Sequence, residues 1–277
     1  MSYGPNPWQQ LHWDARAAIN FMTGGAGSGL LLFAALAGAP RWSFLLGAVL
    51  VAAGLVSVAM EIGRPLRSLN VYINPRTSWM SREAIAAIVL FAAVAGVWFE
   101  VPMARALVVV AALVFVYCQG MMLRRAKGIQ AWREPRIVPL IIATGVAEGG
   151  SVWLMAAGGS AGWWLVLLLA AALLARWALW HGWRARLAQA PRRALEQIDR
   201  AGGPFRSGTQ LALVALILVA LTPHGALEGS LAPLAAVVVA ASALAGGWAF
   251  KFNLVTRAAF NQGFAIPHLP VRGARRS

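Results

Sequence analysis

The chain has 277 residues, of which 60% are hydrophobic and only 12% charged. A soluble domain carries about 25% charged residues, so these charges cannot cover a water-facing surface of this size. A mean hydropathy of +0.66 excludes a soluble globular enzyme and points to a chain that crosses a membrane several times.

Apolar runs of roughly 20 residues are needed to cross the hydrocarbon layer. In chain order eight are read: Ala17–Ala39, Trp42–Ile62, Arg82–Phe99, Pro102–Leu123, Ile137–Ala157, Ala161–Trp180, Ser207–Thr222 and Leu231–Phe252. Pro102 and Pro139 fall near helix starts, where a missing N–H costs little. Residues 17–123 form a first group of four helices, 137–252 a second, and 253–277 a tail, all within one membrane domain (1–277). The stretch Pro191–Arg200 reads as a short surface helix. "NPRTSWMSREA" and "QAWREPRIVPL" share an Arg/Pro/Trp character that fits either a true repeat or ordinary helix-entry chemistry.

The net charge is +15, from 24 Lys and Arg against 9 Asp and Glu. In a soluble chain this would indicate nucleic acid. In a membrane chain it marks cytoplasmic loops and docking surfaces. With the N-terminus on side A, 21 of the 24 cations fall in side A loops, and only Arg41 and Arg105 on side B. Lys251 is counted on side A, and Arg176, inside the sixth span, is expected to snorkel out. The asymmetry supports eight spans, places both termini in the cytoplasm and makes that face the docking surface. Cys118 is the single cysteine; alone it forms neither an internal disulfide nor a cluster site. No signal peptide is expected at the N-terminus.

The four histidines do not sit as a facing pair within helices, which argues against a bis-histidine haem. No metal-ligand spacing appears. Attention therefore falls on ionisable groups in or beside the spans. Glu61 closes the second span, with Arg64 and Arg67 beyond it. Arg82 and Glu83 open the third. These groups flank one side A loop and can meet at the interface. Two readings stand: interfacial ion pairs at balanced helix ends, or a quinone head-group site in which the carboxylates pass protons. Glu148 lies in mid-span among Gly145, Gly149 and Gly150, either hydrogen-bonded across helices or part of a translocation path. Asn20 sits in the small-residue packing face "NFMTGGAGSG" of the first span. Tyr117 and Gln119 are further polar candidates, and the thirteen tryptophans read mostly as interfacial anchors.

The segments "EIGRPLRSLNVYINPRTSWMSREA", "KGIQAWREPRIVPL" and "AEGG", with the eight spans, resemble the membrane anchors of complex iron–sulfur molybdoenzymes. These are the DMSO reductase anchor and its polysulfide-reductase relatives, the DmsC/NrfD-like group. Within it, "GPNPWQQLHWDARAAINF" looks most like membrane subunits of phenylacetyl-CoA:acceptor oxidoreductases. The resemblance implies a quinone (ubiquinone or menaquinone) at this chain and no haem or iron–sulfur cluster in it. It implies two partners, a subunit with four [4Fe-4S] clusters and a catalytic subunit with a molybdenum bis-pterin cofactor; the DMSO reductase type carries them on the periplasmic face, whereas the 21 basic residues of side A place them here on the cytoplasmic face. The electrons would come from oxidation of phenylacetyl-CoA to phenylglyoxylate. A sulfite dehydrogenase anchor and a solute or proton transporter built on Glu148 are the alternatives. By the resemblance, Glu61 and Glu83 occupy positions implicated in quinol binding, a histidine often standing where Glu61 stands here. Arg64, Arg67, Arg82, Trp79 and Asn20 complete the expected head-group set. Arg124, Arg125, Lys127, Arg133 and Arg136 are expected to dock the iron–sulfur partner. The expected location is the inner membrane of a bacterium.

Overall fold

The computed structural model describes residues 6–61, 70–126, 128–158, 162–221, 231–261 and 263. The described residues are all-helical, with only two isolated β-bridges, Gln9 to Phe260 and Ile129 to Asn261. Eight helices are long and apolar enough to cross a membrane: α1 Ala15–Leu36, α2 Arg41–Glu61, α3 Trp79–Trp98, α4 Ala104–Arg125, α5 Ile137–Ala156, α6 Trp163–Ala185, α7 Arg192–Leu221 and α8 Leu231–Thr256. A single helical turn, Gln130–Arg133, precedes α5.

Local chemistry explains where the boundaries fall. Asp14 caps α1 by accepting from Arg16 N–H. Ser78 caps α3 by accepting from Ser81 N–H, so this helix begins a turn before the expected Arg82. Pro102 lies in a tight turn and not in α4; Glu100 and Met103, on either side of it, both have positive φ. The expected surface helix at Pro191–Arg200 is continuous with the seventh span. Pro204 is carried inside α7, so one helix replaces two. α6 runs on to Ala185, past the expected end at Trp180.

α1 and α5 are the most enclosed helices, with 78% and 89% of their apolar stretches buried, against 28% for α2. They form the centre of the bundle. Each carries a Gly-x-x-x-Gly pair, Gly25/Gly29 and Gly145/Gly149, the spacing that lets helix backbones approach. A side chain at Gly29 would strike Gly145 O, and one at Gly149 would strike Gly29 and Leu30 N. The contacts pair 25 with 145 and 29 with 149, so the two helices run parallel. α4 and α8 pack against this centre; α2 and α3 lie on one side, α6 and α7 on the other. The central pair thus joins the two expected groups of four helices directly. Outward faces remain apolar, with Leu45, Val56, Ile88, Val110, Leu211 and Val237 all exposed. A surface of this kind is stable against lipid and not against water.

The N-terminal segment folds back onto the end of α8. Gln10 N–H donates to Ala259 O at 2.9 Å, and the Gln9 and Gln10 side chains donate to Thr256 O and Val255 O. These bonds satisfy carbonyls that a helix end leaves open. Trp132 Nε1 donates to Leu254 O at 2.9 Å, and Trp183 Nε1 to Ala131 O at 3.1 Å. Both rings are buried, as are Trp153 and Trp180. These four tryptophans are therefore internal packing groups, in place of the interfacial role expected for most. The α4–α5 connection, the N-terminal segment and the end of α8 form one tied assembly at a single end of the bundle, here kept as side A.

Adding one methyl group separates close packing from mere glycine content. Gly149→Ala is expected to lower stability by about 1–3 kcal/mol, because the new atom meets backbone that cannot step aside. Gly203→Ala, where an added Cβ meets open space, is expected to stay within about 0.5 kcal/mol of the parent. Denaturant titration of the two variants in detergent measures the difference.

Candidate functional site

Glu83 lies in the second turn of α3, and only 4% of its surface is exposed. Its carboxylate accepts from Asn20 Nδ2 at 3.0 Å. Asn20 opens a π-helical turn in α1, Asn20–Gly24. Such turns shift the backbone ladder by one residue and recur at functional sites. Here Asn20 O accepts a side-chain bond, from Gln119 Nε2 of α4 at 2.9 Å. Glycine makes room for this pairing: a Cβ at Gly24 would sit 2.7 Å from Gln119 Nε2 and 3.4 Å from Asn20 Oδ1. Two amide oxygens, Asn20 Oδ1 and Gln119 Oε1, are buried without a hydrogen-bond partner among the described residues. Three helices thus bring together one buried carboxylate and two open acceptors.

A half-buried rim stands beside it. The Trp79 and Tyr117 rings meet edge to face at 5.7 Å, and the Arg82 guanidinium lies 4.1 Å over the Trp79 ring. Arg82 donates to Pro75 O and Arg76 O, both at 2.8 Å. It therefore braces the loop before α3 and does not bond Glu83. Glu61, partly buried at the end of α2, lies in the electrostatic field of Asp14, Arg16 and His12. Arg16 also holds this corner together, donating to Met60 O at 3.2 Å while Ser57 Oγ donates to Arg16 O at 2.8 Å. Its guanidinium bonded to Asp14 holds that carboxyl below the usual carboxylate range. Of the residues expected at the head-group site, Glu83, Asn20, Trp79 and Arg82 share one neighbourhood, while Glu61 belongs to the Arg16 corner. Arg64 and Arg67 lie outside the described residues, as does Lys127. Arg124, Arg125 and Arg133 are exposed on side A; Arg136 turns inward and donates to Gly182 O at 2.6 Å, tying α5 to α6.

Glu148 is fully buried and ion-paired with Lys251 of α8 at 2.6 Å, both side chains at 0% exposure. Lys251 is thus an internal cation of the bundle and not a loop charge. Its Nζ lies 2.6 Å from where a Cβ on Gly25 would be, and Gln119 Oε1 lies 3.5 Å from the same point. Arg176 is also fully buried and does not snorkel. Its Nε donates to Thr209 Oγ1 at 2.7 Å, its Nη1 to Ala243 O at 3.1 Å, and its head lies 4.7 Å over the Phe205 ring. Those partners hold it in place inside α6, and Glu148 lies within its field. Sequence reasoning missed Lys251 and Arg176 as internal groups. The signal was available: each stands among apolar residues at least five positions from its helix end.

Comparison of the chain with protein-family models, with curated proteins and with solved structures finds no match. The site is therefore read from its own chemistry. Hydrogen-bond donors fit the open oxygens of Asn20 and Gln119, and the ring hydroxyls of a quinol are such donors.

Breaking a buried pair leaves one charge uncompensated, whereas removing both charges does not. Lys251→Met alone is expected to cost about 3–5 kcal/mol. Glu148→Leu combined with Lys251→Met is expected to cost clearly less than the sum of the two single changes. A double-mutant cycle by denaturant titration measures this coupling.

Proposed function

We propose that this chain is the membrane anchor and quinone-reducing subunit of a multi-subunit molybdenum/iron–sulfur oxidoreductase. The observation that carries the reading is Glu83, a buried carboxylate on side A of the first four helices, oriented by Asn20 and flanked by two open amide oxygens. A bound quinone supplies two-electron, two-proton redox chemistry. Asn20 Oδ1 and Gln119 Oε1, both acceptors, would take hydrogen bonds from the two hydroxyls of the quinol once it has formed. Asn20 Nδ2 orients the Glu83 carboxylate, which moves the proton. The Trp79–Tyr117 rim gives the ring an apolar edge open toward the lipid face, since Tyr117 is 41% exposed. Glu61, at the helix end beside Arg16 and Asp14, links the buried acid to water.

The iron–sulfur partner docks on side A, where Arg124, Arg125 and Arg133 are exposed within the described residues. Side A is the cytoplasmic face by its excess of basic residues. A coenzyme A thioester is a cytoplasmic substrate, which favours oxidation of phenylacetyl-CoA by the catalytic subunit over a periplasmic reaction. The host membrane in this reading is the bacterial inner membrane.

In the assembled complex, Glu83→Gln is expected to slow quinone reduction by about 100-fold or more, the range for losing a positioned proton carrier. Reduction of a soluble dye by the catalytic subunit is expected to stay unchanged. Glu61→Gln is expected to slow the quinone reaction less. Parent quinone kinetics in Glu83→Gln would overturn the site assignment.

A further inference from the structure

A second, unrelated feature lies at the opposite end of the bundle, on side B. Arg41 begins α2 and Arg105 stands in the first turn of α4. Each reaches across to the other hairpin. Arg41 pairs with Glu100 in the α3–α4 turn, and its head lies 5.9 Å from the Trp98 ring centre. Arg105 lies 5.7 Å from the Phe44 ring centre, with Nη1 3.0 Å from where a Cβ on Gly38 would sit. Between them is a cavity of about 480 Å³ that both arginines and Glu100 line. It shares Val101, Met103, Ala104 and Ala106 with an apolar groove of about 470 Å³. That groove continues between α3 and α4 past Gly96, Ala92 and Val110, toward the bilayer centre. Its walls are entirely apolar, and half of them are alanine or glycine, which suits a hydrocarbon chain.

The geometry points to a site for one anionic glycerophospholipid. Two guanidinium groups against one carboxylate leave a surplus of one positive charge at the mouth. Guanidinium forks match phosphate oxygens bidentately. Trp98 and Trp42, at the ends of α3 and α2, mark the headgroup level of the leaflet. A phosphodiester beside Arg41 and Arg105 lets one acyl chain descend along Ala92 and Val110. The lipid would close the lipid-facing side of the α3–α4 hairpin, where the positive-φ residues Glu100 and Met103 set the turn.

The test uses the full chain, delipidated in detergent and titrated with dioleoyl phosphatidylglycerol or dioleoyl phosphatidylcholine, with native mass spectrometry counting bound lipids. One phosphatidylglycerol per chain, held about tenfold more tightly than phosphatidylcholine, is expected; this is the effect of about 1.4 kcal/mol. Arg105→Gln is expected to abolish that preference, Arg105→Lys to retain part of it, and Ala92→Phe to weaken both lipids by filling the groove. Circular dichroism and elution volume check that each variant is folded, and Arg105→Lys carries the test if Arg105→Gln is not. Equal affinity for the two lipids, an unchanged preference in Arg105→Gln, or displacement of the lipid by a quinone analogue would each overturn the assignment.

Discussion

The rest of the bundle depends on how closely α1 and α5 approach. Gly25 and Gly29 face Gly145 and Gly149, and a side chain at Gly29 or Gly149 would strike the opposing backbone. In lipid there is no water to expel between helices, so close packing carries the association. That contact also leaves little room for polar groups on α1 except along its flanks. Gln119 and Lys251 approach α1 there, over Gly24 and Gly25. Glycine at these two positions is thus the means by which neighbouring helices bring hydrogen-bonding side chains to the centre.

Four charged residues are buried among the described residues: Glu83, Glu148, Arg176 and Lys251. Their formal charges cancel. A net charge in a low-dielectric interior is costly, and pairing alone offsets only part of the cost. Hydrogen bonds supply more: Asn20 to Glu83, Lys251 to Glu148, and Arg176 to Thr209 and Ala243 O. With Gln119 the groups form an almost continuous run through seven of the eight helices, with α2 alone contributing none. Four of the nine orphaned side-chain atoms among the described residues fall along this run, at Asn20 Oδ1, Gln119 Oε1, Glu148 Oε1 and Arg176 Nη2; the others are on Gln130, Trp180, His181, Trp248 and Asn253. Elsewhere the described core is largely apolar, and its four buried charges all lie on this run.

The helices were legible in the sequence because hydrocarbon thickness sets a length that hydropathy reports directly. Their ends were less legible, because ends follow caps and turns. Ser78 moved the start of α3, and a proline inside α7 did not stop the helix, since neighbouring helices can compensate a lost backbone bond. Glu83, Asn20 and Glu148 stood out as polar residues in apolar surroundings. Their partners were harder to see. Lys251 lies 103 residues from Glu148, and hydropathy alone assigns a cation near a helix end to the interface. The π turn at Asn20 leaves no compositional trace, because its residues would suit an ordinary helix equally well. Four of the thirteen tryptophans depart from the interfacial pattern for a related reason: an indole N–H can meet a buried carbonyl, as at Trp132 and Trp183, and the sequence does not say which tryptophans find one.

Depth separates the two buried acids. Glu83 is four residues into α3, about 6 Å from its start at 1.5 Å per residue. Glu148 is eleven residues into α5, about 17 Å in and close to the middle of a hydrocarbon layer of roughly 30 Å. An acid near the surface can exchange protons over a short distance, and side A supplies Glu61, Asp14 and Arg16 nearby. An acid at the midplane has no such outlet, and here it is clasped by a lysine with no exposed surface. The same residue type thus meets two different requirements. At shallow depth Glu83 has an amide donor and open neighbours, which suits a group that changes protonation. At the midplane Glu148 has a full counter-charge, which suits a group that stays as it is. The proposed assignment of proton chemistry to Glu83, and of helix association to Glu148, rests on this difference in depth and partner.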